Sequence, residues 1–184
     1  MGRLQYAVLA SLDGYTVDAD GDFGWAAPDA EVHAFVNDLE RPVGTHLYGR
    51  RMYETLAVWQ TMGGPEADPI EADYAEIWRA AEKVVFSTTL ADVSTPRTRL
   101  ERDFDAEAVR ALVAGSPRDV SIGGPGLAAQ ALRAGLVHDL HQFLNPVVVG
   151  GGTRALPDGV RLDLELVAER RFGGGVVYTH HRVR

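Results

Sequence analysis

The sequence of 184 residues contains no cysteine, which excludes disulfides, thiolate nucleophiles, iron–sulfur clusters and cysteine-ligated zinc. It also lacks an apolar run long enough to span a bilayer. Basic residues are too few to balance the acidic ones (18 against 26), so the formal net charge is −8. This charge disfavours nucleic acids and anionic membranes as main partners, because both require clustered Lys and Arg. We therefore expect a cytoplasmic protein that acts on a small molecule.

The composition is that of an ordinary globular protein, with 46% hydrophobic and 24% charged residues. A chain of this length can form one good-sized core, so we expect a single domain over residues 1–184. Apolar runs alternate with helical patterns, which predicts an α/β fold with a mostly parallel sheet and antiparallel strands at the C-terminal end. The strands expected to be parallel are Leu4–Leu9, His46–Tyr48, Val84–Ser87 and Val120–Ile122.

The most informative stretch, Val120–Leu132, has the pattern of a strand, a glycine turn and a helix. Gly123, Gly124 and Gly126 leave room for a ligand to approach the main chain, because no Cβ stands in the way. A helix that begins there directs unpaired N–H groups and its positive dipole end toward the turn, which favours phosphate. A tight connection without any ligand accounts for the same glycines equally well.

A second strand runs into Gly49, and Arg50 and Arg51 follow at the start of the next predicted helix. Cations at this end oppose the helix dipole, and a bound phosphate would compensate them. The alternative is an ion pair with Glu54 or another surface acid, which adds little stability. We expect Gly49 and Gly123 to lie at the same edge of the sheet, where open α/β sheets bind ligands.

Three hydroxyl residues, Ser87, Thr88 and Thr89, end another predicted strand. Their side chains could accept a phosphate or a ribose. Taken alone, this run is more typical of a helix cap or a turn.

Several segments together carry a family resemblance. The chain resembles the dihydrofolate reductase-like superfamily, and most closely the reductase half of the bacterial bifunctional deaminase–reductases of riboflavin synthesis. The resemblance implies a three-layer α/β fold with helices on both faces of the sheet, an NADPH-dependent reductase and a homodimer. The matching segments, in the order of the family, are Ser11–Gly14, Trp25, Gly49–Tyr53, Phe86-Ser87, Ile122–Leu127 and Asn145–Gly152.

The resemblance also implies roles for individual residues. For the adenosine phosphate side of the cofactor these are Gly49, Arg50, Arg51, Ser87 and Thr88. For the pyrophosphate they are Gly123, Gly124, Pro125, Gly126 and Leu127. For the substrate they are Ser11, Trp25 and Tyr53. Asp13 is the acidic side chain expected nearest the reacting centre and is the candidate catalytic residue, although Asp-Gly is also a plain turn signal.

The substrate is less clearly indicated than the cofactor. Riboflavin-pathway reductases often carry a Glu before the glycine turn, where this chain has Ile122, and the sequence contains no counterpart of the zinc deaminase half. The acid that binds pterin in dihydrofolate reductases matches Asp29 or Glu31 only with a shifted register. We therefore expect hydride transfer to a small heterocyclic, carbonyl or imine compound, with 5-amino-6-(5-phosphoribosylamino)uracil and related riboflavin intermediates among the candidates.

Three alternatives are weaker. His138 with His141, and His180 with His181, suggest a metal site, but residues one or three apart on a strand face opposite sides, so we expect no metal. The run Gly124–Ala129 fits a Rossmann fingerprint, although it comes late in the chain. A degenerate reductase fold that binds a nucleotide or a partner without turnover is the non-enzymatic alternative.

Overall fold

An eight-stranded sheet with helices packed on both of its faces forms the framework of the protein. The computed structural model describes residues 2–64 and 66–184. Within them the helices are α1 (Ala30–Glu40), α2 (Arg50–Leu56), α3 (Pro69–Ala80), α4 (Ala106–Gly115) and α5 (Pro125–Arg133), with 3₁₀ turns at Gly24–Ala26 and Ala57–Gln60. The strands are β1 (Leu4–Ser11), β2 (Tyr15–Val17), β3 (Val43–Gly49), β4 (Glu82–Phe86), β5 (Thr98–Glu101), β6 (Asp119–Gly123), β7 (Asp139–Asn145), β8 (Thr153–Arg154), β9 (Leu164–Arg171) and β10 (Val177–Val183).

The main sheet has the strand order β5-β4-β3-β6-β1-β7-β10-β9. β1 is parallel to β6 and β7, and β3 is parallel to β4 and β6. β10 runs antiparallel to both of its neighbours. The predicted mostly parallel sheet with antiparallel strands at its C-terminal end is thus confirmed, and the order differs from that of a Rossmann sheet. The small sheet of β2 and β8 was not predicted.

The two glycines expected at one sheet edge do lie there. Gly49 is the last residue of β3 and Gly123 is the last residue of β6, and these strands are hydrogen-bonded neighbours with Tyr48 opposite Gly123. Both glycines therefore stand at the carboxyl ends of parallel strands, where α/β sheets place their ligands.

Apolar side chains alternate between the two faces of the sheet and fill separate cores. On one face, Leu4, Tyr6 and Ile122 pack with the apolar sides of α4 and α5. On the other face, Phe143 and Tyr178 pack with α1, while a third cluster lies under α2 and α3. This alternation is the period-two pattern of strands buried on both sides, and it produces the three expected layers.

Helix α3 begins earlier than the hydrophobic periodicity indicates. The pattern predicted a loop over Met62–Ile70 and a helix from Tyr74, but α3 starts at Pro69. The Asp68 carboxylate accepts the N–H of Ile70, and Pro69 occupies the first helical position, where its missing N–H costs nothing. The capping residues thus determine this boundary, not the apolar face.

Within residues 2–64 and 66–184, no helix is both long enough and apolar enough to cross a membrane. The cytoplasmic location stays a prediction.

A pair of buried ionisable groups lies between α1 and the sheet. Glu40 is 5% exposed, and its Oε2 lies 3.7 Å from His46 Nδ1, while the Gln5 amide approaches Oε1 at 3.5 Å. Burial raises the pKa of Glu40 from 4.5 to about 7 and lowers the pKa of His46 from 6.5 to about 3. The folded state therefore favours the neutral form of both side chains.

This pair predicts a pH-dependent effect of Glu40→Gln. Because the pKa of Glu40 is higher in the folded state, the wild type loses stability as the pH rises from 4.5 to about 7, whereas glutamine carries no charge. We expect the variant to gain up to about 3 kcal/mol over the wild type across this window. His46 is present in both proteins, so its titration cancels in the difference.

Denaturant unfolding of both proteins at several pH values measures this gain. Glu76→Gln, which changes an exposed acid of α3, is the control and should show no such trend. A stability difference that does not change with pH would show that Glu40 is ionised in the folded protein.

Candidate functional site

The glycine turn between β6 and α5 contains three glycines, and the space and backbone conformation differ at each of them. A Cβ on Gly123 would lie 2.9 Å from the Tyr48 ring, so packing excludes a side chain there. Gly124 has φ +91°, a backbone conformation that L side chains rarely adopt. A Cβ on Gly126 would meet nothing within 4 Å. Only Gly126 therefore leaves open space that a ligand could use.

The turn leads directly into α5. Pro125 is the first residue of this helix, and Gly124 caps it without a side-chain hydrogen bond. No acidic residue lies in the first turn, so the N–H groups and the positive dipole end are not neutralised by the helix itself. Leu127, in the first turn of this helix, is buried in the main core and fixes the start of the helix.

The two consecutive arginines at the start of α2 occupy different environments. Arg50 lines a cavity, while its Nη1 lies 3.9 Å from Glu54 Oε1, with both side chains nearly half exposed. An exposed pair at this distance is weak and leaves the guanidinium free for a ligand. Arg51 is not among the described residues that line the cavity, because adjacent side chains on a helix point about 100° apart.

The cavity has a volume of about 400 Å³ and lies at the carboxyl ends of β3, β4 and β5. It brings together five residues predicted for the cofactor site, which are Gly49, Arg50, Ser87, Thr88 and Leu127. The remaining lining residues are Phe86, Thr89, Arg102, Asp103, Phe104 and Gln130. Cationic, hydroxyl and aromatic groups thus surround one space.

The Ser87 hydroxyl shapes the loop that follows β4. Its Oγ accepts the N–H groups of Thr89 (3.2 Å) and Leu90 (2.9 Å), which is the turn that such a run favours. The Thr88 side chain is exposed and faces the cavity. The turn interpretation and the ligand interpretation of these hydroxyls are therefore compatible, since the Ser87 hydroxyl forms the turn and the Thr88 hydroxyl has no hydrogen-bond partner among the described residues.

Sequence reasoning missed Arg102, Asp103 and Phe104. They follow β5, which pairs in parallel with β4 and therefore ends at the same edge. The signal available in the sequence was the charged Arg102-Asp103 pair. Gln130, on the second turn of α5, gave no sequence signal.

Asp13 connects two loops beside the carboxyl ends of β1 and β7. Its carboxylate accepts the N–H groups of Val149 (3.2 Å) and Gly150 (2.8 Å). A hydrogen bond from the Ser11 hydroxyl, together with these two, holds the pKa of Asp13 below its ordinary value. Ser11 itself is fully buried and its Oγ accepts the N–H of Tyr15. The ionised carboxylate thus anchors the segment after β7.

Trp25 and Tyr53, the other residues predicted to contact substrate, differ in accessibility. Trp25 is partly exposed, and its Nε1 donates to the Asp22 carbonyl at 3.2 Å. Tyr53 is 3% exposed, and its hydroxyl accepts the N–H of Ser94 and contacts the Thr95 hydroxyl at 3.1 Å. Substrate contact by Ser11, Trp25 and Tyr53 stays a prediction.

Neither acid near the start of α1 is free to bind a pterin. The Asp29 carboxylate caps α1 by accepting the N–H of Val32 at 2.9 Å. Glu31 forms an ion pair with Arg170 at 2.7 Å and accepts the N–H of Gly173. Ile122 is fully buried in the main core, so the end of β6 presents no carboxylate either.

Two of the C-terminal histidines do come together across neighbouring strands. The rings of His141 and His180 stack with centroids 4.2 Å apart, and His180 Nε2 lies 2.9 Å from Asp139. His141 Nδ1 shares a hydrogen bond with the Tyr178 hydroxyl at 2.7 Å. One ring nitrogen of each histidine already has a protein partner, which is typical of a packed polar cluster.

Comparison with known proteins identifies the fold and the family. The chain is 27% identical over 180 residues to the uncharacterized protein YyaP of Bacillus subtilis (strain 168), covering 95% of this chain and 92% of YyaP. Its structure is similar to a putative riboflavin biosynthesis protein from Shewanella sp. PV-4 (TM-score 0.76, 17% identity, 100% and 99% of the two chains). It is also similar to dihydrofolate reductase from Enterococcus faecalis, solved in complex with NADP(H) (TM-score 0.66, 12% identity, 100% and 97%).

The expected dihydrofolate reductase-like fold is thereby confirmed. The sequence matches the family described as the RibD C-terminal domain over residues 3–178. With nearly the whole chain matched, the protein belongs to the RibD C-terminal domain family.

Proposed function

We propose that the protein is an NADPH-dependent reductase that transfers hydride to a small heterocyclic, carbonyl or imine compound. The observation that carries this proposal is the cavity at the carboxyl ends of β3, β4 and β5, which collects Arg50 and Thr88 together with Leu127 from the first turn of α5. Membership of the RibD C-terminal domain family supports it, as does the NADP(H) complex of a dihydrofolate reductase with the same fold.

The residues present fit a dinucleotide phosphate. Arg50 and the free hydroxyl of Thr88 suit a phosphate on the adenosine ribose, because a guanidinium and a hydroxyl can both donate to its oxygens. The open space at Gly126 and the N–H groups of α5 suit the pyrophosphate. When bound, the cofactor supplies the hydride.

On the substrate side, the protein contributes orientation. We propose that Asp13 acts by fixing the two loops after β1 and β7, since its carboxylate is ionised and bound to two N–H groups. Its catalytic role stays a prediction, and because the carboxylate is ionised, a water molecule is the better proton source for such an arrangement. Trp25, in the 3₁₀ turn that precedes α1, would cover the bound substrate.

Measurements of NADPH binding and of turnover distinguish a reductase from a degenerate reductase fold that binds without turnover. Titration with NADPH, monitored by the change in tryptophan fluorescence, tests whether the protein binds the cofactor. Oxidation of bound NADPH by a panel of pyrimidine, imine and carbonyl compounds then tests for the reaction. Binding without turnover of any compound would favour a nucleotide-binding protein of the same fold, whereas no binding would refute the reductase proposal.

We also propose that two copies associate through the outer face of β9 and β10. The register places Leu164, Leu166 and Val177 on one face of these strands, and they are 39%, 54% and 40% exposed. Glu169 and Arg171 lie on the same face, and a surface with both charge signs can complement its own copy about a two-fold axis.

Gly126→Ala tests the glycine turn without straining it. Alanine in the first turn of a helix should keep or slightly raise the melting temperature. It lowers the conformational entropy of the unfolded chain, which stabilises the folded state by about 0.4–1 kcal/mol. Its methyl group would occupy the space assigned to the pyrophosphate, so NADPH affinity should fall. Gly124→Val is less informative, since φ +91° makes any side chain there strained.

Gly115→Ala is the matched control. Gly115 is the last residue of α4, and a Cβ there would also meet nothing within 4 Å. This variant should gain stability and bind NADPH as the wild type does. A Gly126→Ala protein that binds NADPH normally would show that the turn is only a connection.

Arg50→Ala tests the choice of NADPH over NADH. Loss of one charge-assisted contact to the 2′-phosphate should weaken NADPH binding about ten- to a hundredfold and leave NADH nearly unchanged. Arg51→Ala is the matched control, because Arg51 lies outside the described lining of the cavity. Equal weakening for both cofactors, or none for either, would remove Arg50 from the phosphate site.

Leu166→Glu tests the association surface. A buried charge at a two-fold interface is introduced twice, so the variant should be monomeric in light scattering while the wild type is dimeric. Val58→Glu changes an equally exposed apolar residue elsewhere and should remain dimeric. A monomeric wild type would refute the proposal.

A further inference from the structure

Arg102 directs its guanidinium at the main chain of a neighbouring loop. Its Nη1 donates to the carbonyls of Leu90 (2.6 Å) and Ser87 (3.3 Å), and its Nη2 donates to the carbonyl of Ala91 (3.3 Å). These three carbonyls belong to the loop Ser87–Ala91, which follows β4. One side chain therefore fixes the whole loop from the end of the adjacent strand.

The two strands end side by side at this point. Phe86 is opposite Glu101, and the N–H of Ser87 donates to the Glu101 carbonyl at 2.9 Å. Beyond this bond the ladder stops, so the loop Ser87–Ala91 has no further strand partner on this side. The Arg102 hydrogen bonds continue the connection where the backbone ladder ends.

The loop held in this way presents its hydroxyls to the cavity. Thr88 and Thr89 are exposed and line it, as does Arg102 itself. Asp103, the next residue, brings a carboxylate to the same cavity, and the charge of Arg102 partly offsets it. Three of the five N–H groups of the guanidinium donate to the loop, so most of its hydrogen-bonding capacity is used there.

We infer that Arg102 is a positioning residue of the cofactor site, and this rests on the proposed function. It holds the loop Ser87–Ala91 so that the Thr88 hydroxyl meets the 2′-phosphate of NADPH. The role favours the fork geometry of arginine, because two separate nitrogens reach these carbonyls, whereas a lysine would have to reach all three from a single nitrogen. Arg102 thereby contributes to NADPH preference through Thr88 and not through its own charge.

A double-mutant cycle tests this inference. The proteins are the wild type, Thr88→Ala, Arg102→Ala and the double variant, each titrated with NADPH and NADH. We expect each single variant to lose about tenfold in NADPH affinity and little in NADH affinity. Because Arg102 acts through Thr88, the double variant should lose no more than Arg102→Ala alone.

Two further variants complete the experiment. Arg102→Lys should fail to restore NADPH affinity, since it keeps the charge but not the fork. Arg99→Ala is the matched control, because Arg99 is an exposed arginine of β5 that pairs with Glu101 and should leave binding unchanged.

The contrary outcomes are distinct. Additive losses together with rescue by lysine would mean that Arg102 contacts the phosphate directly, which overturns the inference. A lower melting temperature with unchanged affinity for both cofactors would assign Arg102 to stability alone and also overturn it. A wild type that does not bind NADPH would instead refute the proposed function.

Discussion

The packing of the Tyr48 ring against Gly123 sets the spacing of the strand ends on which the candidate site is built. The ring occupies the space that a side chain at position 123 would need, since an added Cβ would lie 2.9 Å from a ring carbon. Tyr48 is 2% exposed and its ring stacks on His46, so it cannot move aside. The contact lets β3 and β6 pair as far as Tyr48 and Gly123, which brings the starts of α2 and α5 to one edge.

The parts of this arrangement that follow local rules could be predicted from sequence. The parallel strands, the shared edge of Gly49 and Gly123, and the cluster around Ser87 and Thr88 all arise from apolar periodicity and from glycine and hydroxyl residues at strand ends. The contribution of Arg102 could not be predicted, because its partners are main-chain carbonyls more than ten residues away. A hydrogen bond to a main-chain carbonyl does not depend on the side chain of the acceptor residue, so the sequence does not indicate it.

The side chains on the substrate side show the same limit. Asp13 and Tyr53 are polar residues in matching motifs, yet their polar atoms are bound to neighbouring loops through Gly150 and Ser94. A motif gives the position of a residue along the chain, but not whether its hydrogen-bonding capacity is already used. The sequence signals for a phosphate site are simpler, because such sites rely on glycine and on main-chain N–H groups.

The three hydrogen bonds of Arg102 also restrict how chain length can vary in this region. Two kinds of hydrogen bond hold the loop Ser87–Ala91: the Ser87 hydroxyl accepts the N–H of Leu90, and the Arg102 guanidinium donates to the Ala91 carbonyl. An inserted residue would break one of these hydrogen bonds. The segment from Asp92 to Arg97, which has no strand or helix, is held at Ser94 and Thr95 by the Tyr53 hydroxyl instead. Insertions and deletions among relatives of this chain should therefore be rare in residues 87–91, which diverge only by substitution.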